Sequence, residues 1–179
     1  MRPVLIFAAA TAAGIGGAEA GEPPLGVIAG VSGGVLAHGV ELISRTGNEG
    51  GPAFNGEVDL APALHPFGGV LYPEIGGSVA TGGATSYGYA DLKYEMAVGS
   101  NWFLGAGLGG AVHNGELKAT SPNRNALGSR FLFHLPFEAG YAVNANWRVS
   151  LYYEHISNGY LASPNEGLDN AGMRLGYRF

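Results

Sequence analysis

The feature that most constrains the fold of this chain is an alternation of apolar and other residues, repeated in segments of about ten residues. The last segment shows it clearly, because one parity carries Ala171, Met173, Leu175, Tyr177 and Phe179. Successive side chains of a β-strand point to opposite faces, so a period of two predicts strands with one apolar face. Turn-forming residues separate the segments, which indicates consecutive antiparallel strands.

Eight such segments follow one another along the chain. Their bounds are Leu25–Leu36, Ala53–Leu64, Gly69–Ala80, Ser86–Val98, Trp102–Val112, Leu127–Tyr141, Trp147–Asn158 and Asp169–Phe179. An even number of antiparallel strands suits a closed barrel, and closure removes the unpaired strand edges that hydrocarbon would penalise. The sequence therefore predicts an all-β fold, an eight-stranded antiparallel transmembrane β-barrel.

The links between the segments alternate in length. Short links fall at 65–68, 99–101 and 142–146, and longer ones at 37–52, 115–126 and 159–168. Outer-membrane barrels have short periplasmic turns and longer extracellular loops, so this alternation predicts periplasmic termini. The link at 82–85 is short although it falls among the outer loops.

Residues 1–20 have the pattern of a cleavable export signal. Arg2 precedes an apolar stretch at 4–13, and Ala18-Glu-Ala20 is a small-x-small cleavage site. We therefore expect a signal peptide at 1–20 and a barrel domain at 21–179.

Composition and the C-terminal strand limit the classes of molecule that we expect this chain to bind and indicate its location. A net charge of −5 argues against nucleic acid, and the lack of cysteine excludes disulfides and thiolate metal sites. Phe179, with apolar residues at alternate positions before it, resembles the terminal strand by which the barrel assembly machinery recognises outer-membrane barrels. The outer membrane is therefore the expected location, and the oligomeric state is left open, a homodimer included.

Ionisable residues on the opposite parity of several segments predict a buried ion network that fills a narrow lumen. Its expected members are Glu74, Arg130, His134, Glu138, Glu154 and Arg174. Such a lumen argues against a soluble periplasmic protein that binds an apolar ligand. His113, at the outer end of the fifth segment, is interpreted as an interface cap, with a place in a substrate groove as the alternative.

The closing hairpin carries the candidate chemistry. His155 and Ser157 lie two apart and so share the apolar, lipid-facing parity of their strand. Asp169 has the lipid-facing parity of the next strand, near the loop that joins the two. A hydroxyl, an imidazole and a carboxylate in this order form a nucleophile, a base and an acid. The alternative is that all three are polar residues at the aqueous boundary.

The location of this hairpin predicts a substrate class. Its connecting loop is expected outside the cell, so the three residues lie at the outer leaflet and face lipid. That leaflet is mainly lipopolysaccharide, and a serine nucleophile facing it would attack an ester of an acyl chain.

The same hairpin resembles the lipid A 3-O-deacylase (PagL) family, which comprises acyloxyacyl-hydrolase-like outer-membrane barrels. The matching motif is His155-Ile-Ser157-Asn158, then Pro164-Asn165-Glu166-Gly167, then Leu168-Asp169. The segments Gly109–Gly115 and Ala126–Arg130 extend the resemblance across most of the chain after residue 20. It implies a barrel that hydrolyses the 3-O-linked acyl ester of lipid A without a metal or other cofactor.

Carried over residue by residue, the resemblance makes Ser157 the nucleophile, His155 the base and Asp169 the acid. Asn158 and Asn165 match asparagines near the oxyanion site, for which loop amides are the alternative donors. The best-known members have Glu as the acid, one methylene longer than Asp169, and Glu166 is the alternative acid here. A non-catalytic barrel with a structural or adhesive role is the competing function.

Overall fold

Within residues 26–44, 47–61 and 64–179, which the computed structural model describes, eight antiparallel strands close into a barrel. The strands are β1 Ile28–His38, β2 Gly51–Leu60, β3 Val70–Ala80, β4 Tyr87–Val98, β5 Trp102–His113, β6 Phe131–Ala142, β7 Trp147–Ser157 and β8 Leu168–Arg178. Each strand pairs with the next, and β1 pairs with β8, so no strand edge remains open. The predicted fold is confirmed.

The alternation in the sequence separates the two faces of the barrel wall. On β3 the outward Ile75 and Val79 are exposed, whereas the inward Tyr72, Glu74 and Ser78 are buried. A continuous apolar outer face is unfavourable in water and favourable in hydrocarbon. The wall thus has the polarity of a barrel that spans a membrane.

The lumen is narrow enough to require glycine on its inner face. Gly109 lies on β5 opposite Asp91, and a Cβ at this position would overlap the Asp91 side chain and the Ala90 carbonyl oxygen. On β6 a Cβ at Gly140 would overlap the ring of Phe103. Close packing inside the barrel therefore explains the glycine-rich sequence of β5.

Ion pairs fill this lumen, as predicted. Arg174 lies 2.8 Å from Glu57 and 3.0 Å from Glu138, and its guanidinium stacks 3.7 Å from the ring centre of Tyr152. Lys93 lies 2.6 Å from Glu138. Of the expected members, His134, Glu138, Glu154, Arg174 and Glu74 belong to the network, which also includes Glu57, Asp91 and Lys93.

Arg130 lies outside the lumen network, contrary to the prediction. The prediction placed it on a strand beginning at Leu127, but β6 begins at Phe131. The backbone still turns at Gly128, whose φ of 72° is left-handed. Arg130 instead donates to the carbonyl oxygens of His113 at 2.7 Å and Gly115 at 3.0 Å, and so ties β5 to the loop after it.

The first two strands also differ from their predicted bounds. β1 continues to His38, and β2 runs from Gly51 to Leu60. The loop between these two strands therefore spans residues 39–50. The predicted signal peptide at 1–20 lies outside the described residues and stays a prediction. In the part of the chain that is described, no helix has the length and apolar character needed to cross a membrane.

Candidate active site

The three residues predicted for catalysis meet where β7 ends and β8 begins, next to the loop that joins the two strands. His155 and Asp169 are paired across the two strands, and His155 Nδ1 lies 2.5 Å from Asp169 Oδ1. On the other side of the ring, His155 Nε2 lies 3.0 Å from Ser157 Oγ. The geometry can relay a proton from a hydroxyl to an imidazole that a carboxylate orients.

Strand geometry explains this arrangement. Because side chains alternate, His155 and Ser157 lie on the same face of β7, and the cross-strand pairing brings Asp169 beside them. This is the outward face, where Leu151 on β7 and Met173 on β8 are exposed. The predicted parity of all three residues is therefore confirmed.

Asp169 is fully buried although it is on the outward face, because the β1–β2 loop covers it. The backbone N–H groups of Leu42, Ile43 and Ser44 donate to Asp169 Oδ2 at 3.1, 2.6 and 2.8 Å. Ser44 Oγ donates to Asp169 Oδ1 at 2.9 Å. These loop residues are not among the predicted site residues, because nothing in their local sequence pattern points to a carboxylate 125 residues away.

The two asparagines differ in what their side chains contact. Asn158 Nδ2 donates to the carbonyl oxygens of Leu127 at 2.9 Å and Pro164 at 2.8 Å, so this amide group joins the β5–β6 loop to the β7–β8 loop. Asn165 Oδ1 accepts the backbone N–H of Asn158 at 2.9 Å. Asn165 lines the same cavity as Ser157.

Glu166, the alternative acid, lies between two loops. Its Oε2 accepts the backbone N–H of Ala126 at 2.6 Å and the side-chain amide of Asn48 at 3.4 Å. The carboxylate at His155 Nδ1 is that of Asp169. The arrangement therefore favours Asp169 over Glu166 for the acid.

Glu49 joins the four loops at this end of the barrel, which span residues 39–50, 81–86, 114–130 and 158–167. Its carboxylate accepts hydrogen bonds from the side chain and backbone of Thr85, from Asn125 N–H at 2.9 Å and from His38 Nε2 at 3.2 Å. Asn125 in turn donates to the carbonyl oxygen of Gly167 at 2.6 Å. Burial raises the pKa of Glu49, but the hydrogen bonds from His38, Thr85 and Asn125 outweigh it and lower the pKa from 4.5 to about 2. His38 is thus a buried partner of this carboxylate.

A cavity of about 580 Å³ opens beside Ser157 and His155. Ile43 and Ser44 of the β1–β2 loop line it, as does Tyr160 of the β7–β8 loop, which is 87% exposed. A substrate group therefore has space beside both the Ser157 hydroxyl and the His155 ring.

His113 does not line this cavity among the described residues. Its Nε2 lies 2.7 Å from the carbonyl oxygen of Ser129, and its Nδ1 accepts the N–H of Gly115 at 3.0 Å. Both ring nitrogens are therefore engaged by the backbone of the β5–β6 loop, which favours the cap over the groove.

One group of carboxylates in the described residues is close enough to hold a cation. Glu57, Asp59 and Glu74 have oxygen atoms within 4.8 Å of one another in the lumen. Glu57, however, is already paired with Lys93 at 3.1 Å and with Arg174 at 2.8 Å. Glu74 lies 3.4 Å from Lys93 and Asp59 lies 3.2 Å from Arg178, so each of the three carboxylates already has a cationic partner.

Comparison with known proteins identifies the family. The family model described as lipid A 3-O-deacylase (PagL) matches residues 63–178. The chain belongs to this family. The predicted family and enzyme class, a carboxylic ester hydrolase of the lipid A 3-O-deacylase type, are thereby confirmed.

Individual relatives agree with the family assignment. The lipid A deacylase PagL of Bordetella bronchiseptica is 30% identical over 126 residues, which cover 64% of this PagL-family chain and 68% of the relative. The crystal structure of the outer membrane enzyme PagL matches with a TM-score of 0.61 at 23% identity, over 84% of this chain and 100% of that one. Neisserial surface protein A (NspA) matches with a TM-score of 0.52 at 10% identity, over 86% of this chain and 97% of its own. The two solved structures support the barrel fold.

Proposed function

We propose that this PagL-family barrel hydrolyses the ester bond of the 3-O-linked acyl chain of lipid A, using Ser157, His155 and Asp169. The observation that carries the mechanism is the 3.0 Å approach of His155 Nε2 to Ser157 Oγ beside an open cavity. Family membership supports the substrate.

The reaction begins with the Ser157 hydroxyl. His155 Nε2 takes its proton while Ser157 Oγ attacks the ester carbonyl carbon, and Asp169 stabilises the resulting imidazolium. The tetrahedral intermediate then collapses, and the sugar oxygen leaves with the proton from His155. Water attacks the acyl-serine in the same way, releasing the fatty acid and restoring Ser157.

The oxyanion of each tetrahedral intermediate needs hydrogen-bond donors. We assign this role to Asn165, which lines the Ser157 cavity. The Asn158 N–H binds Asn165 Oδ1 and so fixes the amide group, and the donor Nδ2 takes no part in that hydrogen bond. Asn158 has a positioning role, because its own Nδ2 is taken up by two backbone carbonyl groups. Its backbone N–H in turn holds Asn165.

We place the reaction at the outer leaflet. The site is at the end of the barrel where the loops 39–50, 114–130 and 158–167 are long, and outer-membrane barrels have their long loops outside. On the outward face, a lipid A ester reaches Ser157 without leaving the membrane. Insertion by the barrel assembly machinery stays a prediction from the C-terminal strand.

Mass spectrometry of lipid A from cells that express the chain tests this function. Wild-type protein should remove one ester-linked hydroxyacyl chain, and Ser157→Ala should leave lipid A intact. Ser100→Ala, in an exposed periplasmic turn, is the matched control and should behave as wild type. Unchanged lipid A in cells with a folded, surface-located wild-type barrel would rule the proposal out.

A further inference from the structure

The β1–β2 loop supplies a group that the proposed triad does not include. We infer that Ser44 is a positioning residue of the catalytic acid, holding the Asp169 carboxylate in the orientation that His155 requires. The inference rests on the proposed function, in which Asp169 orients His155. It adds a fourth side chain to the chemistry, from a loop remote in sequence.

The contacts of Ser44 are specific to the atoms that matter. Its hydroxyl donates to Asp169 Oδ1 at 2.9 Å, the oxygen that also accepts from His155 Nδ1 at 2.5 Å. The same hydroxyl lies 3.4 Å from His155 Nδ1 itself. Ser44 thus contacts both atoms of the hydrogen bond that orients the imidazole, Asp169 Oδ1 and His155 Nδ1.

Asp169 needs such support because of its location. A carboxylate that is fully buried on the lipid-facing wall loses its hydration, which is costly unless hydrogen bonds replace it. The amides of Leu42, Ile43 and Ser44 bind Oδ2, which fixes one end of the carboxylate. The Ser44 hydroxyl then sets the rotation of the other end, so Oδ1 stays directed at His155.

The surroundings of Ser44 leave little freedom for its hydroxyl. A Cβ built at Gly167 would lie 2.6 Å from Ser44 Oγ and 3.1 Å from His155 Cε1, and the φ of Gly167 is +67°. Only glycine fits this position without displacing either side chain. On the other side of the loop, Asn48 N–H donates to Asn125 Oδ1 at 3.1 Å, so the loop is anchored before substrate arrives.

The test measures the reactivity of Ser157 with a fluorophosphonate probe, which does not depend on lipid A being the substrate. Ser157 Oγ forms a bond to phosphorus, fluoride leaves, and His155 takes the serine proton. Labelling of folded barrels in detergent is followed by mass spectrometry, and folding is checked by heat-modifiable electrophoretic migration. Loss of one hydrogen bond to a buried carboxylate predicts labelling of Ser44→Ala about 10- to 100-fold slower than wild type.

Four further variants make the test specific, two single substitutions and the Asp169→Ala protein with and without Ser44→Ala. Ser44→Thr keeps the hydroxyl and should label within about threefold of wild type, as should the exposed control Ser100→Ala. In an Asp169→Ala background, Ser44→Ala should slow labelling by less than about threefold more, because its effect passes through the carboxylate. A merely structural role would give the same loss in both backgrounds.

The outcomes separate this inference from the proposed function. Labelling of Ser44→Ala at the wild-type rate, Ser44→Thr as slow as Ser44→Ala, or equal losses with and without Asp169 would each overturn it. Fast, Ser44-dependent labelling in a barrel that leaves lipid A unchanged would support the inference and refute the proposed substrate.

Discussion

Two histidines on adjoining strands, one on each side of the barrel wall, have half of their surroundings in common. His134 on β6 faces the lumen, and His155 on β7 faces outward. Each has a carboxylate 2.5 Å from its Nδ1, Asp91 for His134 and Asp169 for His155. A buried imidazole beside a carboxylate is therefore no sign of catalysis in this barrel, where His38 beside Glu49 is a further example.

The difference lies at Nε2. His134 meets a second carboxylate, that of Glu154, at 3.2 Å, whereas His155 meets the Ser157 hydroxyl at 3.0 Å. His134 is completely enclosed, and His155 lines a cavity. A hydroxyl can become a nucleophile when it loses its proton, while a second carboxylate only adds an ion pair. The partner at Nε2 and the access to it separate the histidine that we propose as the catalytic base from the structural one.

The largest effect is expected from His155→Ala. Without the base, Ser157 keeps its proton, and lipid A deacylation should fall about 10⁴-fold or more. The thermal unfolding temperature should change little, because Asp169 keeps its four hydrogen bonds from residues 42–44 and the lumen network is untouched. Deacylation is measured with purified lipid A in detergent micelles. Retention of more than about a tenth of the activity would remove the distinction between the two histidines.

His134→Ala should give the opposite result. It leaves Asp91 and Glu154 without their shared partner inside the lumen, and breaking a buried ion pair of this kind costs about 3–5 kcal/mol. Urea unfolding in lipid vesicles should show this loss, while the folded fraction deacylates lipid A at the wild-type rate. A stable variant without activity would show that the lumen network takes part in the chemistry.

The smallest effect concerns the loops that cover the His155 side of the wall. The pKa of Glu49 is lowered from 4.5 to about 2 in the folded protein, so its contribution to loop stability is complete above about pH 4.5. It is lost as the pH falls toward 2, because Thr85 N–H and Asn125 N–H bind different oxygens of the carboxylate and protonation turns one of these oxygens into a hydroxyl. Amide hydrogen exchange, corrected for intrinsic rates, should show falling protection of these two amides over that range, with β6 unchanged.

Glu49→Gln is the control for this pH dependence. The amide keeps the size of the carboxylate but has one acceptor oxygen and no titration in this range. Protection of Thr85 and Asn125 should be weaker at neutral pH and flat between pH 4.5 and 2. A pH dependence as steep as in the wild type would assign the effect to another group.

Much of the barrel and of the triad could be predicted from residue order. The alternation of Phe133 and Phe137 with His134 and Glu138 is a local property, because backbone geometry alone turns successive side chains to opposite faces. The same rule placed His155 and Ser157 on one face and Asp169 beside them. These predictions needed only the strand period and a short hairpin connection.

Predictions failed where the chain leaves the regular period. Arg130 has the parity of a lumen residue, but the strand begins one residue later, after the turn at Gly128. The pairing of His38 with Glu49 has no sequence signal either, because Glu49 lies in the loop and has no periodic relation to His38. Loop contacts of this kind depend on how the barrel brings remote segments together, which no local pattern encodes.

By itself, the sequence determined the barrel, the direction of each strand face and the outward alignment of Ser157, His155 and Asp169. The physical reason is that strand periodicity and antiparallel pairing act over a few residues. Only the tertiary structure decided that Asp169 is buried, that Ser44 binds it and that Glu49 joins the four loops at that end of the barrel. Ser44 is 111 residues from His155 along the chain, and closure of the barrel between β1 and β8 brings the two together.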